Sequence, residues 1–142
     1  MKRPKKEESL RWLIQAKDEF DDANTLRKME RFYIALFHFQ QAAEKALKAF
    51  LYIHIKSIKV FYTHSITELI QLAIEIDTDF KNVKSSKKLD QYYIPTRYPN
   101  GLPGGVPSRY YDDPKEAKEA KVLAEIVIKL VDSKIEKSSS NK

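Results

Sequence analysis

Arg31 and His38 stand seven residues apart, close to two helical turns, so a helix would carry them on roughly the same face. An arginine beside an imidazole can offset charge developing on a phosphate while the ring moves a proton. That is the division of labour a metal-independent ribonuclease needs. The preferred reading of the pair is structural, with both residues facing solvent or capping a helical bundle where a helix begins.

A denser set lies in YYIPTRYPNGLPGGVPSRYY, residues 92 to 111, which holds five of the eight tyrosines, four of the six prolines and all three glycines. Arg97 offers a planar donor fork suited to phosphate oxygens, and Tyr92, Tyr93 and Tyr98 could stack on a base or donate to a phosphate. Arg109, followed by Tyr110 and Tyr111, repeats the combination beyond the glycines. Tyr92, Tyr93, Arg97, Tyr98 and Arg109 are therefore the candidate nucleotide or phosphate contacts. Two other uses of the segment stay open, packing of the rings over a helix end and a protein interface.

Other chemistry lacks its residues. With no cysteine there is no thiolate nucleophile, thiolate ligand or disulfide. The three histidines, His38, His54 and His64, include no pair spaced to put two ligands on one helical face, and GLPGG lacks the lysine and hydroxyl of a phosphate loop. Glu19, Asp21 and Asp22 read as a solvated carboxylate face, so neither a metal nor a cofactor is expected. The net charge of +6 favours polyanions or an acidic partner, but part of it sits in MKRPKK and KIEKSSSNK and leaves the body closer to balance. No apolar run approaches the ~18 residues of a membrane span, and MKRPKKEES lacks the apolar stretch of a signal peptide, so a cytoplasmic protein is expected.

The elements that must position these residues are helices. At 142 residues the chain reads as one domain over 8–136, with a basic flexible N-terminus over 1–7 and a disordered tail over 137–142. Leu10, Leu13, Ile14, Phe20, Ala23 and Leu26 recur at helical spacing. A second helix, from about Glu30 to His54, has no proline or glycine and is apolar around most of its circumference, which makes it central in a bundle or shared with another subunit. Ser65 and Glu68 predict a reciprocal capping box opening a helix to about Asp77. TDFKNVKSSKK reads as a polar break, followed by a helical segment from Ser86 toward Tyr93 that Pro95 ends. Asp112 or Asp113 caps the last helix, with Pro114 in its first turn and Ala117, Ala120, Val122, Leu123, Ile126, Val127, Leu130 and Val131 on its core face. The prediction is an all-α, up-and-down bundle of about five helices.

WLIQAKDEFDDA (12–23), YIALFHFQQAAEKALKAFLY (33–52), HSITEL (64–69) and LDQYYIPTRYPN (89–100) together resemble the HEPN domains, named for nucleotide binding in higher eukaryotes and prokaryotes. The resemblance covers about residues 8 to 135. It implies a helical bundle that usually dimerises, and many relatives act beside a minimal nucleotidyltransferase as its substrate-binding subunit, in pairs discussed as toxin–antitoxin modules. Other branches are metal-independent ribonucleases whose site resembles an arginine followed after four to six residues by histidine, late in the bundle. Arg97 matches that arginine, but no histidine occurs after His64, while Arg31 and His38 lie in the second helix. The resemblance thus implies a non-catalytic, nucleotide-binding, homodimeric subunit with a nucleotidyltransferase partner and possible nucleotide or RNA ligands. The alternatives are a metal-independent ribonuclease and a structural interaction subunit without ligand.

Overall fold

The computed structural model describes residues 4–55 and 58–140, and among them it is helical without strands. Helix α1 (Lys5–Lys28) turns back into α2 (Phe32–His54) through a residue in the left-handed region, Glu30 at φ 60. There the Arg31 amide donates to the Leu26 carbonyl (2.9 Å) and the Glu30 amide to that of Arg27 (3.0 Å), which satisfies carbonyls the helix end would otherwise leave open. The turn delays α2 to Phe32 and leaves Arg31 as the residue before its first turn.

Helix α2 is the axis of the bundle. Helices α1, α3 (Ile66–Ile76) and α5 (Pro114–Ser140), and a long 3-10 helix (Thr78–Tyr92), all pack on it. Ala35, Leu36, Phe39, Ala42, Ala43, Ala46, Leu47, Ala49, Phe50 and Leu51 are all buried inside this one chain. The apolar circumference therefore has an intramolecular explanation, and the small residues let neighbouring backbones approach.

Three expectations change. In α1 the buried side is Ser9, Leu13, Ala16, Glu19 and Ala23, while Leu10 and Ile14 face out; the Ser9 hydroxyl donates to the Ala49 carbonyl (2.6 Å) and fixes that rotation. Val122 of α5 is likewise exposed. TDFKNVKSSKK is not a break: Phe80, Val83, Ser86, Leu89 and Tyr92 are buried at every third position, the repeat of a 3-10 helix, with one non-helical residue at Val83. Helix α1 also opens at Lys5, inside the stretch read as a flexible N-terminus, and α5 runs past position 137 to Ser140. Positions 1–3 and 141–142 of the two terminal stretches lie outside the described residues.

The start of α3 is held twice. Ser65 Oγ accepts from the Glu68 amide (3.1 Å), as the cap requires, and Asp90 from the 3-10 helix accepts from the amides of Ile66 (2.6 Å) and Thr67 (3.0 Å). The reciprocal half of the box is replaced by Thr63, whose hydroxyl accepts from the Ser65 amide (3.1 Å) and donates to the Glu68 carboxylate (2.8 Å). Beyond Tyr92 the chain folds back on itself before the short helix α4 (Pro107–Tyr110). A Cβ at Gly101 would lie 2.8 Å from Ile94 Cγ2, and Gly104 takes φ +80, so the return needs glycine at both places. Asp113 then caps α5 by accepting from the Lys115 amide (2.9 Å).

Candidate functional site

Pinning α3 to the 3-10 helix through Asp90 also sets where Tyr93, three residues on, must lie. Its ring stacks on His64, just ahead of α3, with centroids 4.6 Å apart and planes 17° from parallel. Phe37 from α2 approaches the same ring at 6.3 Å. Arg97 lays its guanidinium carbon 4.6 Å from the Tyr93 centroid, 4.8 Å from that of Phe37 and 5.0 Å from that of Tyr98. Its Nε donates to the Tyr93 carbonyl (2.9 Å), which fixes the plane of the fork.

Three ring contacts hold an exposed arginine that no carboxylate pairs with among the described residues. Such a cation keeps donors for an anion, and Tyr98, 51% exposed beside it, offers a face for stacking.

The other two members of the predicted set go elsewhere. Tyr92 is 4% exposed, donates its hydroxyl to Glu116 (2.8 Å) and meets Tyr111 edge-on at 6.0 Å. Burial, then the Glu116 carboxylate, pushes its pKa far up, so it is a neutral core residue sealing the end of α5. Arg109 is exposed on α4, and among the described residues no hydrogen bond, ion pair or cation–ring contact joins it to the Arg97 group.

Arg31 and His38 are not brought together. Arg31 is exposed at the turn, whereas His38 directs Nδ1 at Glu19 of α1 (2.7 Å), which also accepts from Lys45. Burial alone would raise the Glu19 pKa, but the hydrogen bonds from His38 and Lys45 outweigh it and hold the carboxyl below its usual value.

The residues that the sequence reading missed are His64 and Phe37, which lie 29 and 56 positions before Tyr93 in the chain. HSITEL marked a helix start, and nothing in that motif said which side chain would cover it. Among the described residues there is no cluster of His, Cys, Asp or Glu able to hold a metal, and no helix long and apolar enough to cross a membrane. A cavity of about 490 Å³ exists elsewhere, against α1, lined by Glu8, Arg11, Trp12, Ile14, Gln15 and Lys45. It shares no residue with the Arg97 group.

Comparison with known proteins bears on what this surface belongs to. A family model described as HEPN domain matches residues 9–135. The crystal structure of TT1696 from Thermus thermophilus is similar at 35% identity and a TM-score of 0.77, over 89% of this chain and 97% of that one. The crystal structure of ST0689, an archaeal HEPN homologue, is similar at 27% identity and a TM-score of 0.68, over 95% and 99%. The comparison with curated proteins gives no match.

Proposed function

The chain belongs to the HEPN domain family, and from that membership we propose that it is a non-catalytic subunit that binds a nucleotide or a nucleotide-bearing substrate. On this reading it acts with a minimal nucleotidyltransferase in a toxin–antitoxin-type module and assembles as a homodimer. The observation that carries the proposal is Arg97, unpaired by any carboxylate among the described residues and fixed over Phe37, Tyr93 and Tyr98. A phosphate would take the guanidinium donors left free by the Tyr93 carbonyl, and a base would stack on the exposed rings.

Calorimetry with a panel of nucleotides, with the chain alone and with its nucleotidyltransferase, tests this directly. Arg97→Ala should weaken binding by about 1.5–3 kcal/mol, roughly tenfold or more, with helicity unchanged. Absence of nucleotide binding in either setting, together with absence of a complex, would sink it.

A further inference from the structure

His64 is held more firmly than a half-exposed surface histidine needs to be. Its side chain is 47% exposed, yet three separate groups fix it. Its backbone carbonyl accepts from Gln40 Nε2 (2.9 Å), its Nδ1 lies 3.2 Å from both oxygens of Glu44, and its ring stacks on Tyr93. Glu44 is itself 3% exposed and accepts from Lys48 Nζ (2.9 Å) and, at 3.4 Å, from the amides of Gln40 and Gln41. Lys48, 2% exposed, donates onward to the Phe61 carbonyl (3.1 Å). No buried side-chain polar atom among the described residues lacks a partner.

A buried ion pair of this kind adds little net stability, because the desolvation of both charges opposes their attraction. What it does supply is orientation. Glu44, ionised beside Lys48, can only accept, so His64 carries a proton on Nδ1 and leaves Nε2 as the free nitrogen. Nε2 has no partner among the described residues. The His64 ring and the Arg97 guanidinium both pack on the Tyr93 ring at 4.6 Å, so one residue links them and they are at most about 9 Å apart.

We propose that His64, aimed by the buried Glu44–Lys48 pair, is a second phosphate contact beside Arg97 and makes the site selective for a terminal phosphate monoester over an internal diester. The inference rests on the nucleotide-binding reading above. An imidazole nitrogen and a phosphomonoester share one proton whichever of them holds it, and the hydrogen bond forms either way. A diester brings no proton of its own, so with it the bond forms only when the imidazole supplies the proton on Nε2. Arg97 alone reads negative charge; His64 reads the proton.

The test uses the full chain, the nucleoside 5′-monophosphates and their 3′,5′-cyclic counterparts, which are diesters of the same nucleosides. Calorimetry should show the monoester preferred, and His64→Gln should lower that preference about tenfold, the weight of one charge-assisted hydrogen bond, while Arg97-dependent binding of both classes persists. Retained binding of the cyclic form shows that the variant has folded. In protein carrying 15N-labelled histidine, addition of the monophosphate should move the His64 Nε2 resonance and leave Nδ1 in place. Equal affinity for the two classes in the parent chain, or an unchanged preference in His64→Gln, overturns the inference and leaves the nucleotide-binding reading standing. Failure of both classes to bind, with the chain alone and with its nucleotidyltransferase, together with absence of a complex, overturns both.

Discussion

Helix α2 takes part in two clusters of the same composition, each a histidine, a glutamate and a lysine, and they come to different ends. In one, Glu19 of α1 accepts from His38 (2.7 Å) and Lys45, both on α2, at the rim where two helices meet. In the other, Glu44 and Lys48 of α2 are both buried and hold His64 from the loop before α3. The rim cluster ties two helices together through a buried carboxylate whose partners, His38 and Lys45, water still reaches. The buried one spends its charges on the direction of one imidazole, on which Tyr93 stacks, and Tyr93 in turn carries Arg97. Composition thus makes His38 and His64 equivalent, and the covering segment separates them.

The largest expected effect tests the difference in depth. Lys48→Met strips a buried carboxylate of its ammonium and should cost about 3–5 kcal/mol in urea unfolding, whereas Lys45→Met at the rim should cost about 1 kcal/mol or less. Equal losses would erase the contrast. Smaller is the acid response of the rim cluster. Because the Glu19 pKa is lowered in the fold, its contribution is complete above the ordinary value of 4.5 and is lost as pH falls through the lower folded value. Unfolding measured from pH 7 down to about pH 3 should therefore lose roughly 1 kcal/mol more in the parent chain than in Glu19→Gln. The smallest effect concerns the turn that sets α1 against α2, and so Glu19 against His38. Glu30→Gly removes a side chain from the left-handed region and should raise stability by about 0.5–1 kcal/mol, read as a shift in urea midpoint with unchanged slope.

The helices α1, α2, α3 and α5 were legible because their apolar residues recur near every 3.6 positions over long stretches. The 3-10 helix was not, because five buried residues spaced by three among lysines and aspartates look polar to a search for a wider stripe. Within the candidate site, Arg97, Tyr93 and Tyr98 were legible as near neighbours in one unusual segment. Tyr92 adjoins them in sequence, yet it points inward to Glu116, because adjacent residues of a tight helix face different sides.

The amino-acid sequence by itself determined the helical class, the central apolar helix, the cap at Ser65 and the segment in which an arginine and tyrosines could meet a phosphate. Each follows from spacing within a few turns, where covalent geometry dictates which side chains share a face. Only the tertiary structure decided that His38 turns to Glu19 and not to Arg31, that Tyr92 is core, and that His64 stacks on the same Tyr93 ring that carries Arg97. The pairings of His38, Tyr92 and His64 join residues 19 to 29 positions apart through the packing of separate helices, and no local periodicity encodes which buried carboxylate a distant imidazole will find.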